Sequence, residues 1–281
     1  MERPDLYELI EYSQSLGLRT VMATCGYHFA DDAASKLKSA GIIALSFSLD
    51  GATADTHDAF RQTAGAFDTA IAAIEKTRSA DIRFQINTTI TKHNIDQVPA
   101  IAELAEKLGA YCFNPFILVP VGRGDEIRDL ILSPTEYEKL LGDLADLKNK
   151  SPIELRVTCG PQFARICRQK KLTDADKVKG CLAATEFAFI SARGDVQTCG
   201  FLDISAGNLV ENGFDFADIW LNSKFLNDLR KLSEYKGACS ACAYLAVCRG
   251  CRARAYSMLG DYLQQDPICK LALHGSGSIK Q

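Results

Sequence analysis

Between Cys239 and Cys251 the chain reads CSACAYLAVCRGC, four cysteines in thirteen residues spaced C-x2-C-x5-C-x2-C, with Cys269 following. Thiolates are soft ligands, and clustered thiolates select zinc or iron–sulfur centres. A structural zinc takes four ligands, often as two C-x2-C pairs. Here five cysteines lie within reach of one another and more stand upstream. That excess points to clusters rather than to a single zinc.

The other cysteines are unevenly spread. Only Cys25 and Cys112 precede residue 150, whereas Cys159, Cys167, Cys181 and Cys199 follow it ahead of the cluster. The asymmetry divides the 281 residues into an α/β part, 1–150, and a metal-dependent part, 151–281. A net charge of −3 gives no reason to expect a nucleic-acid or anionic-membrane partner. No run of eighteen apolar residues suggests a membrane span. The opening MERPDLYELIEY is acidic and amphipathic, without signal-peptide character. With eleven cysteines, this leads us to expect a reducing, cytoplasmic setting and metal thiolates rather than disulfides.

Periodicity predicts helices over 4–17, 31–41, 67–79, 95–110 and 133–150, and strands over 19–26, 42–51, 82–91 and 111–122. Pro4 suits a first helical turn, and Ser133 with Pro134 opens the last helix. Strand–helix alternation is the signature of right-handed β/α units on a parallel sheet. Four strands cannot close a barrel of eight, so the fold class expected is α/β: a partial, incomplete β/α barrel followed by a small cysteine-rich α+β domain. Ligands of such sheets sit beyond the carboxyl ends of the strands. Those ends carry Thr24, Cys25 and Gly26; Ser48, Asp50 and Gly51; Asn87 and Thr89; and Pro120, Gly122 and Arg123. They suit a small polar ligand, or serve only as turns and caps. In the second part, 187–199 reads as a hairpin turning at Gly194, and 214–232 as one helix with Trp220 in the core. Residues 274–281 are expected to fray.

Cys181, twelve residues, Gly194, four residues, Cys199, then C-x2-C-x5-C-x2-C and Cys269 resembles the SPASM domain of radical SAM enzymes, which houses auxiliary 4Fe-4S clusters. SFSLDG (46–51) and HDAFRQTAGAF (57–67) resemble segments of that superfamily's barrel. LVPVGRG, VTCGPQFARI, CLAATEFAFISARGDVQTCGFLDISAGNL and CRGCRARAYSMLGDYLQQDPIC resemble the radical SAM proteins of alternative haem biosynthesis, which act on didecarboxysirohaem or iron-coproporphyrin. The resemblance implies a distal auxiliary cluster on Cys239, Cys242, Cys248 and Cys269, and a proximal one on Cys181, Cys199 and Cys251. Cys159, in a segment like the family's T-C-x-P, is the first choice for the fourth proximal ligand. Cys167 is the runner-up and reads better as a buried thiol. Ser48 and Asn87 match positions that approach S-adenosyl-L-methionine, and Arg61 matches one that meets its carboxylate; the bland reading of Arg61 is a surface ion pair. His28, His57, His93 and His274 lie outside any ligand pattern and read as solvated. The implied partners are a tetrapyrrole or peptide substrate and an electron donor such as flavodoxin or ferredoxin.

The sequence also departs from the family. It contains no C-x3-C-x2-C, the motif that holds the SAM-cleaving cluster, and no Gly-Gly-Glu-Pro segment. ERPDLYELIEY resembles the residues that follow that segment, so either a start at an internal methionine or a fragment lacking the cluster-binding N-terminal part is expected. Cys25 stands where relatives carry Asn, and Gln62 where they carry Gly. Three readings result. The first is a radical SAM–SPASM enzyme of haem or porphyrinoid synthesis, with peptide maturases as the main competitor. The second is a non-catalytic iron–sulfur electron-transfer relative. The third is a zinc-ribbon-like structural protein, which the number of thiols disfavours.

Overall fold

The computed structural model describes residues 3–274. The expected start at Met1 and the tail beyond His274 lie outside them. The chain divides into two compact units, Met1–Ile117 with Leu147–Thr158, and Leu118–Asp146 with Cys159–Gln281.

The first unit carries α1 (Leu6–Ser15), β1 (Val21–Thr24), α2 (Ala33–Ser39), β2 (Ala44–Ser48), α3 (Ala54–Arg61), α4 (Ala66–Ser79), β3 (Arg83–Ile90), α5 (Val98–Leu108) and β4 (Cys112–Ile117). After α6 (Pro134–Lys150) the chain adds β5 (Glu154–Leu155). All five strands run parallel in the order β1-β2-β3-β4-β5. The α/β expectation holds, with two additions: the helix α3 and a fifth strand. That strand has two residues, too few to show a period, and is placed by pairing with Cys112 and Phe113. The core comes from both sheet and helices. Phe84, Ile86 and Ile90 of β3 are buried at period two, and α5 buries Val98, Ile101, Ala102 and Ala105 at helical spacing. Gly109 ends α5 at φ +87, a left-handed cap that suits glycine. Among the described residues β1 pairs only with β2, and Val21 and Ala23 stand exposed on it.

The second unit has little regular structure. A capping box opens α6: Ser133 N–H donates to Glu136 Oε2 at 2.7 Å, and Glu136 N–H to Ser133 Oγ at 3.3 Å. The helix buries Tyr137, Leu140, Leu141 and Leu144. Then come α7 (Phe163–Gln169) and an antiparallel sheet of β6 (Phe189–Ile190), β7 (Asp195–Gln197) and β8 (Gly207–Asn208). The expected hairpin is present and turns through Gly194 at φ +89. The expected helix over 214–232 is two, α8 (Phe216–Asn222) and α9 (Lys224–Arg230), broken where Ser223 adopts an extended backbone. Trp220 is half-buried, packed on the core and covered by the Arg230 guanidinium 4.6 Å from its ring. The short α10 (Leu245–Cys248) and α11 (Arg252–Leu259) complete the unit. Among the described residues no helix is long and apolar enough to cross a membrane.

Candidate functional site

The first unit gathers polar groups where β2 ends. Ser48 and Asn87 are register partners and both half-buried. Asn87 Oδ1 accepts from Gln85 Nε2 at 2.8 Å and Asn114 Nδ2 at 3.3 Å. Two residues past Ser48, the buried Asp50 is held from four directions. Its Oδ1 accepts the Thr89 N–H at 2.7 Å, and Oδ2 accepts Arg61 Nε and Nη2, each at 2.6 Å. Its own N–H donates to His57 Nδ1 at 2.9 Å, and its carbonyl accepts from Asn94 Nδ2 at 2.8 Å. Arg61 is thus one half of an ion pair, with 34% of its side chain exposed and its partner buried.

His57 corrects the expectation of a solvated histidine. It is 2% exposed, and burial pushes its pKa below the ordinary 6.5, so it serves as a neutral acceptor. The first turn of α3 folds it back onto Asp50, a return that periodicity did not reveal. His28 and His93 are exposed, and His93 stacks on Phe60. Gln62 caps α3 at φ +54, the left-handed position that explains why glycine suits this place. Cys25 is exposed and Cys112 buried.

In the second unit the eight candidate thiols fall into two groups. Cys239, Cys242, Cys248 and Cys269 border one cavity. Cys159 and Cys199 pack against the buried cluster that contains Cys251, and Cys159, Cys181 and Cys199 all feel the charge of Cys251. The last C-x2-C therefore splits between groups. Arg249 and Gly250, between its cysteines, both adopt left-handed backbone at φ +63 and +58. The reversal sends Cys248 to the cavity and Cys251 toward Cys159. Gly180 brings Cys181 to the same place: its N–H donates to Val247 O at 3.0 Å, and the Cys181 N–H to Cys248 O at 3.1 Å. A Cβ on Gly180 would collide with both carbonyl oxygens. Cys167 lies on α7, fully buried, as its reading as a buried thiol expects.

Between the groups runs a polar chain that the sequence did not disclose. Arg254 and Asp266 are both 0% exposed by side chain and form an ion pair, Nη1 reaching Oδ1 at 3.1 Å and Oδ2 at 2.9 Å. Asp266 Oδ2 also accepts the Cys251 N–H and Gln162 Nε2, each at 2.9 Å. Tyr137 donates to Gln162 Oε1 at 2.6 Å. Arg254 donates from Nη2 to Cys159 O at 2.7 Å and from Nε to Leu118 O at 3.4 Å. Burial, the largest single influence, pushes the Asp266 carboxyl up, but Arg254 together with the hydrogen bonds from Gln162 and the Cys251 N–H outweighs it and holds the carboxyl below 3.8. The only sequence trace of the network is the pair Arg252 and Arg254 directly after Cys251, beside a run that otherwise reads as an ordinary helix.

The donor chemistry fits iron–sulfur clusters. Among the described residues no cysteine forms a disulfide, and no three His, Cys, Asp or Glu converge on one metal ion. Thiols spread around a cavity suit a centre of several irons, each taking one thiolate. Burial pushes Cys181 up to about 12 and Cys269 up to about 11, and raises Cys248, Cys239 and Cys199 as well. The neighbouring Cys159 thiol holds Cys251 down, while Cys251 and burial hold Cys159 up. Metal binding to such thiols must release protons. In the cavity, Arg165 Nε and Arg249 Nη1 are buried without a hydrogen-bond partner among the described residues. Orphaned donors on a thiol-lined wall are what an anionic cluster would satisfy.

Comparison with known proteins agrees. A model of the radical SAM superfamily matches residues 1–105, and one of the SPASM iron–sulfur cluster-binding domain matches 181–252. An AdoMet-dependent heme synthase of Methanosarcina barkeri is 42% identical over 280 residues, covering 96% of this chain and 79% of that protein. Its namesake from Nitratidesulfovibrio vulgaris is 39% identical, covering 96% and 76%. Among solved structures, Streptococcus suis SuiB bound to precursor peptide SuiA superposes with a TM-score of 0.72 at 16% identity, over 96% of this chain and 63% of that one. That last likeness is one of fold.

Proposed function

This chain belongs to the radical SAM superfamily, in the group carrying a SPASM iron–sulfur domain, and from that membership we propose that it serves haem or porphyrinoid biosynthesis by oxidising or decarboxylating tetrapyrrole side chains. Residues 1–150 would carry the radical chemistry and 151–281 two auxiliary 4Fe-4S clusters. One cluster would sit on Cys239, Cys242, Cys248 and Cys269, the other on Cys159, Cys181, Cys199 and Cys251. The observation that carries this assignment is the sorting of eight thiols into two groups of four. The substrate class rests on the 42% identity to a heme synthase; the peptide-modifying alternative rests on more distant likenesses, 29% identity to a mycofactocin maturase and a shared fold at 16%.

Bound S-adenosyl-L-methionine with its own cluster supplies hydrogen-abstracting radical chemistry, and the auxiliary clusters supply electron transfer. The given sequence has no C-x3-C-x2-C, so no residue here is assigned to the SAM-cleaving cluster. Ser48 and Asn87 would present a hydroxyl and an amide to S-adenosyl-L-methionine at neighbouring strand ends. Arg61, fastened by Asp50, would offer its carboxylate a cation that needs no reorganisation on binding. Asp266 and Arg254 hold the backbone of Cys251 and Cys159 in place. A flavodoxin- or ferredoxin-type donor in the cytoplasm would supply the electrons.

The test is iron and acid-labile sulfide after anaerobic reconstitution. About eight irons per chain are expected, with about four lost on Cys239→Ala and about four on Cys181→Ala. Zinc in place of iron and sulfide overturns the cluster assignment. Absorbance titration with iron-coproporphyrin and didecarboxysirohaem then tests the substrate class: saturable binding of either supports it, and saturable binding of a precursor peptide alone replaces it.

A further inference from the structure

Arg165 is 2% exposed, and its guanidinium is pinned from one side. Nη1 donates to Glu138 Oε1 at 2.9 Å and to Gln169 Oε1 at 2.8 Å, and Nη2 to Glu138 Oε2 at 2.6 Å. Nε is buried and has no partner among the described residues. The same residue lines the cavity bordered by Cys239, Cys242, Cys248 and Cys269. A planar fork has its donors in fixed directions, so an arginine locked by a bidentate carboxylate cannot turn to satisfy the remaining N–H. Gln162, on the same wall, does not serve it: its oxygen accepts from Tyr137 and its nitrogen donates to Asp266. Sulfur is the acceptor in which this wall is rich.

We propose that Arg165 is a positioning residue for the iron–sulfur cluster on these four cysteines, its Nε–H donating to a cluster sulfur while Glu138 holds the fork, and that the pair sets that cluster's reduction potential. The proposal rests on the cluster assignment above. Reduction adds one electron, and thus one negative charge, to the cluster. A hydrogen-bond donor and a positive charge favour the reduced form, and a nearby carboxylate disfavours it. The two halves of the pair therefore act with opposite sign. Arg165→Gln removes the cation and the fixed donor and leaves the Glu138 carboxylate, so the potential falls. Glu138→Gln keeps the donor and removes the opposing charge, so the potential rises.

The experiment is a redox titration of the reconstituted full chain with dithionite as electron source, followed by electron paramagnetic resonance, with iron and sulfide counted in each sample. Arg165→Gln should lower the reduced-to-oxidised ratio of one cluster about tenfold at fixed poise, a shift of about 59 mV for a one-electron couple. Glu138→Gln should move the same couple upward by a similar factor, and the other cluster's couple should stay in place. Iron retained with both couples unmoved, or both variants shifting one couple in the same direction, overturns the proposal. Should Arg165→Gln lose iron, Glu138→Gln carries the test alone: a rise supports the proposal, and no change or a fall overturns it. A wild-type chain that retains no iron and sulfide overturns the cluster assignment itself, and the proposal with it.

Discussion

Asp50 and Asp266 are both fully buried, both pair with an arginine, and both accept a backbone N–H. They differ in what surrounds them. Asp50 lies just past the end of a strand in a sheet already packed by periodic apolar residues, and 34% of its Arg61 partner reaches solvent. Asp266 lies in a unit whose strands have two or three residues, and its Arg254 partner has no exposure at all. There the ion pair does what a sheet does elsewhere: it ties down the carbonyls of Leu118 and Cys159 and the N–H of Cys251. Buried charge is a costly way to fix a backbone. It becomes reasonable where the segment must end in thiols rather than in a regular ladder.

The comparison can be broken by the same substitution at both places. Asp266→Asn leaves Arg254 charged and uncompensated away from water, and aims amide N–H groups at donors. We expect a loss of about 3–5 kcal/mol by denaturant unfolding of the second unit, with iron falling alongside stability. Arg254→Met with Asp266→Leu should recover part of that loss, since the buried charge goes with its partner. Asp50→Asn should cost less, about 1–2 kcal/mol, because Arg61 can turn to solvent and one oxygen still accepts the Thr89 N–H. Equal losses at the two aspartates would show that burial of the carboxylate alone, and not the arginine's exposure, governs the cost.

A smaller effect separates the two by pH. His57 is neutral in the fold because burial lowers its pKa below 6.5. The unfolded chain takes up the proton near 6.5, so the stability it contributes is present above that pH and is lost as pH falls from 6.5 through the lowered value. Unfolding midpoints at pH 7.5 and 5.5 should therefore differ more for the wild type than for His57→Gln, which keeps a side-chain acceptor without the titration. An equal slope in both proteins would remove His57 as its source.

The two polar centres also differ in how they could be read beforehand. Most strands and helices around Asp50 announce themselves by period, as in β3 and α5; α3, which carries His57 and Arg61, does not, and the segment holding Asp50 carries a family resemblance. β5 escapes because two residues have no period, and the break at Ser223 because neither glycine nor proline marks it. The cysteine spacing pointed to clusters, and the resemblance nominated Cys159, which the fold sets against Cys251. Nothing local could reveal Asp266 and Arg254. Each is an ordinary charged residue until chain segments 118–120, 137, 159–165 and 251–266 meet, and such meetings leave no short-range pattern.

The smallest effect lies at the end of α3, one residue beyond Arg61. Gln62 adopts φ +54, where a Cβ crowds the backbone and glycine does not. Gln62→Gly should relieve that strain, while adding conformational freedom to the unfolded chain that offsets part of the gain. The net expected is a stabilisation of about 0.5 kcal/mol, read as a higher denaturant midpoint with an unchanged slope. Because Arg61 is the last helical residue before this cap, a firmer cap should also hold its guanidinium on Asp50 more tightly and increase the cost of Asp50→Asn when the two are combined. Strict additivity would show that the cap and the ion pair are independent, and that the first polar centre is anchored by its sheet rather than by α3.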